Sequence, residues 1–248
     1  MSDTLEPDGR AESSGPAFRD DRRGGPPSMA AAYDQVASHY DRFAAHWDRI
    51  VNRAAIRQYR VVVRRHVHSA TRVLDVGTGT GRSVVLLYEE AGPRHVIGID
   101  YSAGMLARAR EKFAHSQVAL VQADTLRLPF PDNSFDVVTS MWVLETLPHP
   151  LAALHELLRV VRPEGRVLTL FSTRPRSRLR RMFTALLERV AKPELGWTFL
   201  PEAQQPLHSC TMHCAHRYEY GLNTVATFGK RCQIGAEALL SSGLSRAG

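Results

Sequence analysis

Three glycines at every second position follow a short apolar run that carries one carboxylate, Val73-Leu-Asp75-Val-Gly77-Thr-Gly79-Thr-Gly81. A loop that lets a ligand lie against its backbone tolerates no Cβ, and its tight turn needs dihedrals that only glycine adopts cheaply. With a helical stretch over Ser83 to Tyr88, the segment reads as strand, tight loop, helix, the arrangement that cradles nucleotides. A dinucleotide fingerprint sets its third glycine three positions after the second. Here that position is Arg82 and the third glycine comes one residue early, which argues against NAD and for another adenosine ligand.

Carboxylates follow at matching places. Asp100 closes the run Val96-Ile-Gly-Ile-Asp100, 19 residues past Gly81. An acceptor-only group there can take both ribose hydroxyls of an adenosine; the plainer alternative is a turn or helix cap before Ser102. Tyr101 beside it can lie against the adenine. Asp124 ends a third strand, where a simple loop carboxylate is the alternative. Asp75 lies inside the first strand, where a charge is costly unless paired. All three stand at carboxyl ends of strands, the edge at which open α/β sheets bind ligands.

The elements that must position these residues are legible from periodicity. Tyr33, Val36, Tyr40, Phe43 and Trp47 recur three or four apart and share one helical face, and a second helix runs from about Asn52 to His68 with Arg57, Arg60, Arg64 and Arg65 on its wet side. From Arg72 strands at 73–76, 95–99, 118–122, 135–140 and 165–171 alternate with helices near 83–90, 103–114 and 151–161. Short apolar strands interleaved with helices predict a parallel sheet covered on both faces. Pro163-Glu164-Gly165 breaks the chain before the fifth strand, and alternation over 211–220 and 224–229 predicts a closing hairpin.

At 248 residues the chain suits one large domain, expected over 29–230. Residues 1–28 are rich in Gly, Pro, Ser, Asp and Arg and read as a disordered leader; 231–248 are small and polar and read as a loose tail. The net charge is +7 and the pI about 9.7, most of the excess being clustered arginine, as on a solvated surface or one that meets an anionic partner. Three cysteines cannot build a disulfide framework. No apolar run reaches the roughly 18 to 20 residues that span a bilayer. These features predict a cytoplasmic protein with reduced thiols.

Two clusters stand apart from the glycine loop. Five arginines fall between Arg174 and Arg181, and Leu179, Met182, Phe183, Leu186, Leu187 and Val190 trace an apolar stripe beside them. This basic amphipathic helix reads as a packed lid, as a surface for anionic lipid, or as an RNA patch. His208, Cys210, His213, Cys214 and His216 offer zinc-type ligands, but their spacing matches no zinc pattern, so no metal is expected.

With these pieces in place, the chain resembles the class I S-adenosylmethionine-dependent methyltransferases, particularly the branch of quinone-biosynthesis and phosphatidylethanolamine N-methyltransferases. The resemblance runs from about Tyr33 to Lys230. It rests on Tyr33 to Asp41 (YDQVASHYD), the glycine loop, Val96 to Ser102 (VIGIDYS), Gln122-Ala-Asp124, Leu128 to Asp136 (LPFPDNSFD) and Arg162 to Arg166 (RPEGR). It implies a Rossmann-like, mostly parallel seven-stranded sheet with helices on both faces and an antiparallel C-terminal strand. It also implies S-adenosylmethionine as cofactor, bound by Asp75, Gly77, Gly79, Gly81, Asp100, Tyr101, Asp124 and Thr125. In that picture Asp75 helps to hold the methionine amino group and Asp124 accepts from the adenine amino group.

The residues after the fourth strand bear on the methyl acceptor. Methyltransferases of exocyclic amino groups carry an Asn/Asp-Pro-Pro-aromatic run there, whereas this chain has Asp136-Val-Val-Thr139-Ser140-Met-Trp142, which disfavours nucleobase amines. A sulfonium is already an activated electrophile, so alignment and water exclusion can carry much of the catalysis. Glu145 and His149 are the candidate bases, and Tyr33, Tyr40 and Trp142 the candidate substrate contacts. The expected acceptor is a small molecule or lipid headgroup, with peripheral contact at an anionic membrane and without nucleic acid. A non-catalytic binder of the same cofactor and an RNA-directed methyltransferase are the alternatives.

Overall fold

Residues 29–175, 177–195, 199–200, 215–220 and 222–230 are described by the computed structural model. The leader, the tail and His208 to Cys214 of the Cys/His cluster lie outside the described residues. Helix α1 (Met29–Trp47) passes through a π-helical turn (Asp48–Asn52) into α2 (Arg53–His66). Then come β1 (Arg72–Val76), α3 (Arg82–Ala91), β2 (His95–Asp100), α4 (Ala103–Lys112), β3 (Ala119–Gln122) and β4 (Phe135–Met141). A 3-10 turn (Leu144–Thr146), α5 (Pro150–Val160), β5 (Val161–Ser172), α6 (Arg178–Leu195), β6 (Ala215–Tyr220) and β7 (Asn223–Gly229) complete the order.

The seven strands form one sheet in the order β3-β2-β1-β4-β5-β7-β6. Strands β1 to β5 pair in parallel, and β7 is antiparallel to both β5 and β6. The expected mostly parallel seven-stranded sheet with an antiparallel C-terminal strand is what forms. From β1 the chain builds outward through β2 and β3, then returns to lay β4 on the other side. The crevice beyond the carboxyl ends of β1 and β4 is therefore the switch point at which such sheets bind ligands.

Alternation along each strand divides the core between two faces. Leu74, Val76, Val138 and Phe171 pack with Leu154 and Leu157 of α5. Val73, Val137 and Leu170 pack with Tyr59 and Val63 of α2 and Leu87 of α3. Leu154 and Leu157 are fully buried, and each contributes about 1.5–3 kcal/mol by leaving water. Pro150 in the first turn and Arg159 in the last suit the two ends of α5. The Arg159 guanidinium donates to Glu156, to Asp132 and to the carbonyls of Leu128 and Phe130, holding the turn before β4.

Two details depart from the sequence expectation. Strand β5 begins at Val161 and runs through Pro163-Glu164-Gly165, absorbing them as a register shift against β4. Gly165 is needed there because a Cβ would meet the Asp136 carbonyl. The buried face of α1 is centred on Ala37 and Ala44, while Tyr33, Val36, Tyr40 and Trp47 are only partly covered. Small residues let α1 pack closely on α4 and leave the aromatic stripe partly uncovered.

Candidate functional site

β1 ends at Val76, and Gly77, Gly79 and Gly81 follow with φ of 69°, 54° and 85°, the left-handed region that glycine enters without steric cost. The Thr78 N–H donates to the Ile99 carbonyl (2.8 Å) and the Gly81 N–H to the Thr78 carbonyl (2.8 Å), folding the loop over the end of β2. A Cβ on Gly77 would run into Val143 and one on Gly81 into the Phe113 ring, whereas a Cβ on Gly79 would meet nothing within 4 Å. Two glycines thus serve the protein's own packing, and Gly79 faces open space. A cradle of this form suits the adenosine-type ligand read from the sequence.

Asp100 joins the loop to the next helix. Its Oδ2 accepts from the Gly79 N–H (2.8 Å) and its Oδ1 from the Ser102 N–H (2.9 Å). The structure thus shows the turn-and-cap alternative, and each oxygen keeps a second lone pair beyond these amides. Burial pushes the Asp100 carboxyl upward, the Ser102 and Gly79 amides oppose this, and the Asp75 charge adds to it.

Asp75 is fully buried. Its Oδ1 accepts from the Thr139 hydroxyl (2.6 Å) and its Oδ2 from the Ser83 hydroxyl. Burial also raises this carboxyl, against the pull of those hydroxyls. Asp75 therefore braces β1 to β4 and α3 beneath the loop. At the far end of β3, the Asp124 Oδ1 accepts from the Leu126 N–H (2.8 Å) and Thr125 is buried beside it. The Tyr101 carbonyl accepts from Gln122 Nε2 (2.9 Å), tying the ends of β2 and β3.

Across this edge lies α1, held by three aspartates at seven-residue spacing. Asp34 accepts from the Ser102 hydroxyl and the Gly104 N–H (2.7 Å). Asp41 accepts from the Thr80 hydroxyl and from Lys112 (2.9 Å). Asp48 pairs with Arg82 and accepts from Asn52 (3.0 Å). The clamp sets Tyr33 and Tyr40 edge to face, centroids 6.3 Å apart, within the fields of Glu145 and Asp100. Burial and those negative neighbours raise both phenols, with Arg82 partly opposing the shift at Tyr40. Both hydroxyls stay protonated at neutral pH and available as donors.

Trp142 follows β4 with φ of 58°, a rare conformation for a bulky residue, pinned by its N–H on the Leu170 carbonyl (2.6 Å). The Arg82 guanidinium sits 5.5 Å from its ring centroid. Trp142 Nε1 donates to Asn223 (3.1 Å), which donates to Asn52 (2.9 Å), closing a ring of contacts through Asp48 back to Arg82. Glu145 is 1% exposed, and its Oε1 accepts from the Ser172 N–H (2.9 Å).

The fold thus gathers Gly79, Asp100, Tyr33, Tyr40, Arg82, Trp142 and Glu145 at one edge. Asp75 lies behind them and Asp124 beside them. His149 sits at the start of α5, where its carbonyl accepts from the Ala153 N–H (3.1 Å). Asp34, Asp41, Asp48, Arg82, Asn52 and Asn223 were not among the sequence candidates. The seven-residue spacing of the aspartates was the available signal, whereas the asparagine link is 171 positions long in sequence and left none. A separate cleft at the amino edge of the sheet is lined by His66, His68, Asp136, Arg162 and Arg166. There Asp136 already pairs with Arg162 and accepts from the Arg72 N–H. Among the described residues no cluster of three or more metal-ligating side chains occurs.

Residues 74–169 match the family model of a methyltransferase domain. Demethylmenaquinone methyltransferases of Staphylococcus aureus are 37% identical over 148 residues, covering 59% of this chain. The match spans 61% of the length of those curated relatives. Among solved structures, an S-adenosylmethionine-dependent methyltransferase of Thermotoga maritima superposes with a TM-score of 0.59 at 20% identity, over 82% of this chain and 99% of that one. The chain complexed with the Trm112 methyltransferase activator of Haloferax volcanii superposes with a TM-score of 0.60 at 17% identity, over 80% of this chain and 97% of that one. These structural likenesses establish the fold, and a domain of this class implies S-adenosylmethionine as methyl donor. Residues 74–169 thus carry a methyltransferase domain, set on the fold that these solved structures share.

Proposed function

We propose that this protein transfers the methyl group of S-adenosylmethionine to a small molecule of the quinone kind, releasing S-adenosylhomocysteine. The observation that carries the reading is the open face of Gly79 beside the Asp100 carboxylate. In this reading Gly77, Gly79 and Gly81 shape the cradle, Asp100 takes the ribose hydroxyls and Tyr101 lies against the adenine. Asp124 and Thr125 receive the adenine edge, and Asp75 supports the loop that holds the methionine amino group. The cofactor supplies an activated methyl group; the protein's part is to align the acceptor with it and exclude water.

Tyr33, Tyr40 and Trp142 wall the acceptor space under α1. Their aromatic faces suit a flat, apolar acceptor, and the two protonated phenols can donate to its oxygens. Glu145, buried within the field of both phenols, is the assigned proton acceptor, and His149 at the start of α5 is the second candidate. No helix of the described residues is long and apolar enough to cross a membrane. A lipid-soluble acceptor accords with a cytoplasmic protein that touches an anionic membrane peripherally, and nucleic acid is not part of the reading.

Calorimetry with S-adenosylhomocysteine tests the cofactor half. The wild type should bind, and Asp100→Ala should weaken affinity by more than about tenfold, or ~1.4 kcal/mol; absence of binding by the wild type overturns the reading. A turnover screen over quinols, phenols, amines, thiols and phosphatidylethanolamine tests the acceptor half. Turnover of an amine in preference to quinols would reject the quinone assignment.

A further inference from the structure

Three apolar residues of helix α6 face solvent. Leu179, Met182 and Leu186 are 77%, 72% and 61% exposed, the three most exposed large apolar side chains among the described residues. At 3.6 residues per turn they fall within an arc of about 60° on one face. The others, Val61 and Val121, lie singly on different elements. Isolated apolar residues on a surface are ordinary, whereas a contiguous stripe marks a contact surface.

The helix is held from behind. Thr184 is buried, and Glu188 accepts from the Phe199 N–H (2.7 Å) and from Arg174 (3.1 Å). Arg178, Arg181 and Arg189 are exposed, and among the described residues no carboxylate pairs with them. Arg178 and Arg189 border the stripe on one side.

Position supplies the remaining constraint. β5 runs parallel to β1 and β4, so α6 starts from the same carboxyl edge that holds Gly79, Asp100 and Trp142. It packs against α1, the helix that carries Tyr33 and Tyr40. We propose that this face of α6 docks on an anionic lipid bilayer, its apolar stripe entering the acyl boundary and its arginines meeting anionic headgroups. Docked so, the protein holds the acceptor space close to the membrane. The inference rests on the reading of a lipid-soluble acceptor given above. Charge argues for a bilayer over a second copy of the chain, since two copies meeting here would bring their arginines together.

Flotation of the full chain with vesicles of phosphatidylcholine alone, or of phosphatidylcholine with phosphatidylglycerol, tests this. Binding to the anionic vesicles should exceed binding to the neutral ones and weaken with salt. The triple variant Leu179→Ser/Met182→Ser/Leu186→Ser should lose binding by on the order of tenfold or more. Its S-adenosylhomocysteine affinity and thermal midpoint should stay those of the wild type. Arg178→Glu/Arg189→Glu should remove the preference for anionic vesicles. Equal binding to both vesicle types at low salt, or unaltered binding by the triple variant, overturns the proposal. So does a wild-type dimer in sedimentation velocity that the triple variant disperses. A wild type that floats but binds no S-adenosylhomocysteine refutes the function and leaves the membrane surface standing.

Discussion

Asp100 holds two backbone amides of the protein itself, so in the proposed function its charge serves loop and ligand together. Burial raises its carboxyl above the ordinary aspartate range, and ribose hydroxyls and a cationic amino group both prefer the ionised form. Affinity for S-adenosylhomocysteine should accordingly be full above the raised value. It should fall as the pH drops through that value, earlier than for an unperturbed aspartate. Calorimetric titrations stepped down from neutral pH should show this loss, and Asp100→Asn should flatten it; a flat wild-type profile would reject the assignment. For folding the sign is opposite. A carboxyl raised by burial, as at Asp100 and Asp75, contributes stability that is complete below the unfolded value and lost as pH rises through the folded one. Ionised carboxylates at this edge therefore oppose folding, a cost borne where ligands bind.

At the scale of elements, α1 is attached to the domain through acids more than through its aromatic stripe. Its buried face is built on Ala37 and Ala44, which bury little apolar area, so Asp34, Asp41 and Asp48 carry much of the fastening. Asp34 satisfies the Ser102 hydroxyl and the Gly104 amide in the first turn of α4, where helices leave N–H groups without internal partners. Asp34→Ala should cost about 1 kcal/mol, as for a lost helix cap. It should also speed hydrogen exchange in α1 and the first turn of α4, with Asp34→Asn retaining part of the protection. Exchange unchanged in both helices would show that α1 is held by other contacts.

At the scale of the whole molecule, the ring of Arg82, Asp48, Asn52, Asn223 and Trp142 joins the first helices to the last strand. Asn52 and Asn223 are 4% and 2% exposed. Asn223→Ala would leave the buried Asn52 Oδ1 and the half-buried Trp142 indole N–H without their partner, each costing about 1–3 kcal/mol. Chemical denaturation should register a loss of roughly 2–6 kcal/mol in a single cooperative transition. A midpoint equal to that of the wild type would mean that the two groups find other partners.

Much of this architecture was legible along the chain. Alternation within strands, the spacing of the glycine loop and the carboxylates closing β1, β2 and β3 are local patterns. Each is dictated by the pleat or by a tight turn, so β1 to β5, α3 to α5, the Gly77–Gly81 loop and Asp100 could be read before any contact was known. Folding alone decided which side chains face the space those elements enclose. It separated Gly79, which is open, from Gly77 and Gly81, which pack against Val143 and Phe113. It also turned Asp75 inward onto Ser83 and Thr139, and left Leu179, Met182 and Leu186 in solvent although their periodicity alone would suit a buried face. Hydrogen bonds such as Asn52 to Asn223 carry no periodic signature, because any two polar residues can be brought together by the packing of elements remote in sequence.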